Sequence, residues 1–588
     1  MTIKNKTLAA VVFIPLTVAL AARLILLIFW WNSPVRYYSY VVGLDMPTIL
    51  TIGGWLYHGF SVFTLYKFTI AMTMVFNHGH PCPEAIIIIQ MLLGSLLSVI
   101  IAWITLRLTG KRLWAATAGT IAALYAPELI YESLILKETY MTFFSALALA
   151  GVLWGRKKHC TTAAMYISGI LLALPCLVRV TAFPFCVMGS LWILWYALRK
   201  LRLKDCLTKK IVFIRTAALI LGIATLLGPA TIFNRHNTAR GINLPFYVGA
   251  NYAISLGSVK NATSMNVPES DLKANSNQDT TPELSTNVRK IFELVVNLLR
   301  KTPLVFNAYE IPNNVNYYFM KYKLPVSLFF GPFLLIPLAV SALILIIITG
   351  KFIRRESILL LFIFSFLLPI CFFYPLARYR LVLMPVFCVL APYSIYYAIN
   401  FIKRKKTLLA VLPFIILYAA VCIVTFPYKA GLRSTDFIAY GKALEKMPNP
   451  PENPLIYYRA ACEIAPANPV AVINYTDSLL KNRQPKTALQ IIMPFHQKNP
   501  AHSGGLYYAG LTMLCNGYPA EAENIFNKIN IEQLQPLRSQ YYFYLAETLR
   551  LQKKYPDAKK IYAMALEAAV DQKQKNIIQH ALDSMPEK

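Results

Sequence analysis

The 588-residue chain is 57% apolar and only 14% charged, a balance that excludes an ordinary soluble protein of this size and indicates an integral membrane protein. Its formal charge is +31, but residues 433–588 hold 18 Lys and Arg against 14 Asp and Glu, so the excess belongs to the apolar part. It reports topology and not nucleic-acid binding. Ten cysteines lie scattered with no CxxC pair and no histidine at ligand spacing, so neither a zinc site nor a disulfide framework is signalled.

The first run, 8–31, is too long and too apolar for a cleaved signal peptide and reads as a retained anchor. At about 20 apolar residues per crossing, further spans fall near 84–106, 113–130, 138–154, 161–178, 182–198, 211–231, 327–349, 357–373, 381–401 and 407–427, eleven with the anchor. Alternate connections (4–6, 107–112, 155–159, 199–210, 350–355 and 403–406) carry 21 basic residues. The intervening short ones carry six: Arg36, Lys67, Lys137, Arg179, Arg378 and Arg380. Basic loops stay inside, so the N-terminus is expected in the cytoplasm and, after an odd number of crossings, the C-terminal part outside.

Two outer segments are long. Residues 32–83 contain Asp45, His58, His78 and His80; residues 232–326 have a polar centre, 261–287, followed by an amphipathic stretch, 288–301. That stretch sets Arg289, Glu293, Asn297 and Arg300 on one helical face, as expected of a helix lying in the membrane interface or of an ordinary surface helix. His78 and His80 in HGHP are either loop residues or ligands of a divalent metal; no cofactor is otherwise indicated.

Beyond Pro427 the composition turns soluble and a period of 34 to 36 residues appears. Ala546, Ala558, Tyr562 and Ala565 recur at spacings of 12, 4 and 3, and Gly510, Ala522, Phe526 and Ile529 fit the same frame. Thr476, Ala488, Ile492, Phe495 and Pro500 fit it more loosely, and Lys442, Pro454, Tyr458, Ala461 and Pro466 most loosely. This spacing resembles the tetratricopeptide repeat, paired helices stacked into a superhelix whose concave face offers a groove for a protein partner.

Only thirteen acidic residues occur in the first 432 positions. Asp45, Glu128, Glu132, Glu138 and Glu310 map to the outer side, with Arg179, Arg378 and Arg380. Carboxylates and guanidiniums at one depth could hold a base beside a bound phosphate. The structural alternatives are an N-cap for Asp45, helix-start capping for Glu138 and snorkelling anchors for the arginines.

In order, the lone carboxylate of the first outer loop, YAPELIYESLILKETYMTFF (125–144), LPCLVRVTAFPF (174–185), residues 232–257, NAYEIPNN (307–314) and YPLARYRLVLMPV (374–386) resemble a known family. It is the polyprenyl-phosphate-dependent glycosyltransferases of the C superfamily, the protein O-mannosyltransferase and aminoarabinose transferase group. The resemblance covers roughly residues 8–430. It implies an all-α polytopic membrane enzyme over 1–430, here followed by a repeat domain over 433–588. The implied reaction takes a sugar from a polyprenyl phosphate to a protein, lipid or glycan acceptor on the outer face of the plasma membrane, with inversion. By position it assigns the base to Asp45. Relatives often show Asp-Glu where this chain has Asp45, Met46 and Pro47, which removes the second carboxylate of a metal-binding pair. The donor phosphate falls to Arg179, Arg378 and Arg380, and Glu138 and Glu310 line the site. Two rivals of other classes are a flippase or transporter of lipid-linked sugars, which would carry functional charges near mid-bilayer, and a scaffold whose membrane part only anchors the repeats.

Overall fold

The structure, a computed structural model, describes residues 2–41, 46–50, 64–155, 161–202, 209–237, 288–348, 357–372, 375–405, 412–425 and 431–586. Asp45, His58 and the polar centre 261–287 lie outside the described residues. Among those described the chain is helical without a β-strand, and it divides into two compact units, Met1–Gly431 and Leu432–Lys588.

In the first unit every predicted span contains a helix. They are α1 (Thr2–Trp31), α3 (Pro83–Thr109), α4 (Arg112–Ala123), α6 (Glu138–Gly155), α7 (Thr162–Ala173), α8 (Phe183–Arg202), α9 (Lys209–Asn237), α12 (Pro332–Ile348), α13 (Ser357–Phe372), α15 (Met384–Lys405) and α16 (Leu412–Val424). Between them lie α2 (Leu65–Val75), α5 (Ala126–Glu132), α10 (Val288–Val305), α11 (Tyr317–Lys323) and the single turn α14 (Ala377–Arg380). Among the described residues five stretches are long and apolar enough to cross a membrane: Val11–Trp31, Pro83–Thr109, Val180–Arg199, Lys209–Asn234 and Ala377–Phe401. The anchor buries Ala19, Ala22, Leu26 and Trp30 and turns Phe13, Leu24 and Ile28 outward, as a helix between protein and lipid must.

Small residues let these helices approach closely, the main packing device where lipid is as apolar as leucine. A Cβ on Gly169 of α7 would lie 2.2 Å from the Leu219 carbonyl of α9, and one on Gly222 of α9 would lie 2.1 Å from the Tyr166 carbonyl. The two glycines face each other's backbones. Gly119 of α4 likewise packs against Pro15 of α1 and the Ser98 carbonyl of α3. Helix α10 buries Lys301 and exposes Val295 and Leu299.

Not every predicted span forms a helix of crossing length: α4 and α7 have 12 residues each and α16 has 13, and the first of these runs is broken outright. The run 113–130 is not one helix: α4 stops at Ala123, after about 18 Å of rise, too short for a hydrocarbon core of about 30 Å. Pro127 disfavours helix at the residue before it and has no amide to give. The chain therefore leaves the helix, bridges Tyr125 to Phe330, and restarts as the seven-residue α5. The Ala126 amide donates to the Phe330 carbonyl at 2.9 Å, and the Phe330 amide to the Leu124 carbonyl at 2.9 Å. Residues 124–136 are buried apart from a half-buried Leu124, so this return segment passes through the interior of the bundle.

The second unit stacks α17 (Ser434–Lys446), α18 (Pro454–Ile464), α19 (Pro469–Lys481), α20 (Pro485–Lys498), α21 (Ser503–Cys515), α22 (Pro519–Phe526), α23 (Arg538–Leu551), α24 (Tyr555–Glu567) and α25 (Gln572–Asp583). Within two of the pairs a glycine closes onto a ring, Gly510 onto Phe526 being one, and Ala522, Phe526, Ala546, Ala558, Tyr562 and Ala565 are fully buried. In the first pair the small residue is Gly441, against the Tyr458 ring, and not Lys442 one position later.

Candidate functional site

Glu138 is the first residue of α6, buried, and meets two guanidiniums brought from distant parts of the chain. Arg179, in the turn between the short 3-10 segments Leu174–Leu177 and Val180–Ala182, donates from Nη2 to Glu138 Oε1 at 2.7 Å. Arg378 of α14 brings its Nε within 3.9 Å of the same oxygen. Both guanidiniums lie over the ring of Tyr379, at 4.9 and 4.7 Å from its centroid, and Arg378 also donates to the Tyr379 hydroxyl at 2.5 Å. Planar guanidinium groups stack on aromatic faces while keeping edge donors for an oxyanion. The second Glu138 oxygen, Oε2, is buried and has no hydrogen-bond partner among the described residues.

Lys137, in the connection leading into α6, joins this group. Burial first, then the neighbouring Arg179, pushes its ammonium down to about 7. Arg378 and Lys67 of α2 act in the same direction, and Glu138 opposes them. The sequence reading counted Lys137 only as an outer-side charge. Its position beside Glu138 in LKET was the available signal, and Tyr379, inside ARYR, was missed in the same way.

Arg380 stands two residues from Arg378 but is committed elsewhere. Its Nε and Nη2 hold Glu310, at 3.3 Å and 3.0 Å, while Nη1 donates to the Asn307 and Val305 carbonyls and Nη2 to the Tyr309 carbonyl. With its donors spent on the 305–310 loop, Arg380 is not placed to grip a phosphate. Glu310 is buried with it and also accepts from the Tyr125 hydroxyl at 3.2 Å. The Ala377 amide donates to the Ile311 carbonyl at 3.0 Å, which pins that loop against the turn bearing Arg378.

Glu128 and Glu132, expected on the outer side, are fully buried within the helices. Glu132 Oε1 receives Arg23 Nη2 at 2.5 Å, and a Cβ on Gly94 would fall 1.8 Å from that oxygen. Gly94 is eleven residues into α3, roughly 16 Å along its axis, and Arg23 is eight residues before the end of α1, roughly 12 Å. Both positions thus lie two or more helical turns from those helix ends, and Glu128, four residues before Glu132, is fully buried. Backbone is drawn into the same network. Gln90 donates to the Glu132 and Leu134 carbonyls at 2.8 Å each and accepts from the Tyr66 hydroxyl at 2.9 Å. Arg23 also donates to the Ala123 carbonyl at 3.1 Å, where α4 ends.

His78 and His80 are exposed in the turn that closes α2, with His78 at φ 50°. Among the described residues no group of three or more His, Cys, Asp or Glu side chains is arranged to hold a metal ion.

No family model and no curated protein matches the chain. Solved structures do. The chain is similar to ArnT from Cupriavidus metallidurans bound to undecaprenyl phosphate, at 11% identity over 87% of this chain and 79% of that one, with a TM-score of 0.38. It is similar to the oligosaccharyltransferase of Archaeoglobus fulgidus, at 13% identity over 78% of this chain and 57% of that one, TM-score 0.33. A tetratricopeptide repeat protein from Parabacteroides merdae is similar over 32% of this chain and 84% of its own, at 14% identity and a TM-score of 0.19.

Proposed function

We propose that the chain is a membrane glycosyltransferase that takes a sugar from a polyprenyl phosphate and passes it, with inversion, to an acceptor on the outer face of the plasma membrane. The observation that carries this reading is the convergence of Arg179 and Arg378 on one carboxylate, Glu138, over the Tyr379 ring. Such an excess of forked donors suits a phosphate whose charge grows as the sugar departs. Arg179 and Arg378 hold the donor phosphate, and Glu138 sets their orientation. Arg380 is a positioning residue that fixes Glu310 and the 305–310 loop beside them. Asp45 is the base that takes the acceptor proton. The repeats, outside the membrane, recruit an acceptor protein or assembly partner through their concave face.

A second reading, a transporter of lipid-linked sugars, is favoured by one observation: ionisable groups buried among membrane spans mark translocation paths, and Arg23, Glu128 and Glu132 are buried among the apolar helices. Proteoliposomes carrying a labelled polyprenyl-phosphate sugar separate the two. Label moved onto acceptor supports the glycosyltransferase; label crossing the bilayer still attached to its lipid supports the transporter.

A further inference from the structure

Glu138 is reached through a stretch of chain without regular structure, residues 133–137, between α5 and α6. Its position is therefore set by whatever holds that stretch. Three successive carbonyls, of residues 132–134, receive side-chain donors from neighbouring helices. Gln90 Nε2 of α3 donates to the Glu132 and Leu134 carbonyls at 2.8 Å each, and Trp30 Nε1 of α1 donates to the Ser133 carbonyl at 3.0 Å. Donors and acceptors alike are buried, so a lost donor leaves a carbonyl unpaired away from water.

Both amide protons of Gln90 are used in this way, and its Oε1 accepts from the Tyr66 hydroxyl of α2 at 2.9 Å. The amide has one permitted orientation, because turned over it would set its own oxygen against two carbonyl oxygens. Tyr66 must then be the donor in that bond. Buried itself, Tyr66 also packs its ring edge-on against Tyr140 of α6, with centroids 4.9 Å apart. Glu138, four residues after Leu134 and two before Tyr140, is thus bracketed by contacts that both lead to Tyr66. That tyrosine belongs to the outer segment 32–83, the one that carries Asp45.

We propose that Gln90 and Tyr66 are positioning residues for the donor phosphate site: they set the register of the stretch before α6, so that the Glu138 carboxylate meets Arg179 at 2.7 Å and Arg378 at 3.9 Å. The proposal rests on the reading of those two arginines as the phosphate-binding pair. Gln90 and Tyr66 act through Glu138, which holds the guanidiniums ready for the lipid phosphate. A buried network in which every member is paired transmits the loss of one member to the next. Removing the Tyr66 hydroxyl strands Gln90 Oε1, and a Gln90 amide that turns away strands the Glu132 and Leu134 carbonyls.

The test is a double-mutant cycle read by equilibrium binding of undecaprenyl phosphate to the purified full-length protein. Tyr66→Phe removes only the hydroxyl and keeps the ring on Tyr140. It is expected to weaken binding about tenfold, the order of one orphaned buried hydrogen bond. Gln90→Met, of similar length but without the amide, should weaken it at least as much. Glu138→Gln removes the charge that draws the two guanidiniums together, and in that background Tyr66→Phe should cost less than about twofold. A role in stability alone would carry the same penalty in both backgrounds. Full affinity in Tyr66→Phe, or an equal loss with and without the Glu138 charge, overturns the proposal. A parent that does not bind the lipid overturns the donor-phosphate reading itself, and the proposal with it.

Discussion

Arg378 and Arg380 stand two residues apart in ARYR, yet they face opposite demands. Arg380 is sealed among three backbone carbonyls and Glu310, whereas Arg378 shares Glu138 with Arg179 at the edge of a cationic cluster. Removing one partner of a buried, hydrogen-bonded pair strands the other. Arg380→Ala is therefore expected to lower stability by about 3–5 kcal/mol, visible as early thermal unfolding of the detergent-solubilised chain. Arg378→Ala should leave unfolding nearly unchanged and instead weaken donor binding by about tenfold or more. Equal unfolding curves for the two variants would remove the distinction. The residue types of this site were readable in the sequence because charge is scarce in an apolar chain. Which arginine points where was not, since that depends on the 305–310 loop folding onto the turn at Ala377. Lys137 was hidden for another reason: a lysine beside a glutamate at a helix start looks like ordinary capping until Arg179 arrives from forty residues away.

At the scale of elements, hydrophobic runs disclosed the helices, and the failures came where backbone chemistry interrupts a run. The span 113–130 is apolar enough to cross, but Pro127 stops the helix and the interior accepts the broken segment by giving its carbonyls to Gln90, Trp30 and Arg23. Irregular backbone at such depth is tolerated only inside protein. Because α4 begins and α6 ends next to basic loops, the break buries Glu128 and Glu132 without altering the expected parity of the crossings. In the repeats the 12-4-3 spacing is legible because each small residue must clear a ring. The frame slips at the first pair, where Gly441 and not Lys442 meets Tyr458. At Gly510 a Cβ would come within 2.6 Å of the Phe526 ring. Gly510→Ala is accordingly expected to destabilise the repeats by about 1–3 kcal/mol, read as a lower unfolding temperature of the repeat domain in the full-length chain. No loss of stability would contradict this packing.

For the molecule as a whole, the distribution of lysine and arginine, 21 basic residues in one set of connections against six in the other, predicts that the repeats lie outside. Cys515 at the end of α21 is exposed and makes a direct probe. In a variant retaining only this cysteine, a membrane-impermeant maleimide should label intact cells. With Arg107→Cys as the sole cysteine, labelling should require permeabilisation, and the reverse pattern would invert the topology. The central claim is that the outer-face cluster and Asp45 transfer a sugar from a lipid phosphate. The most direct measurement is transfer of labelled sugar from polyprenyl phosphate to acceptor by the purified full-length chain, comparing the parent with Asp45→Asn. The account predicts transfer by the parent and a loss of about 10²–10⁴-fold in the variant; transfer by the variant at the parent's rate, or by neither protein, would contradict it.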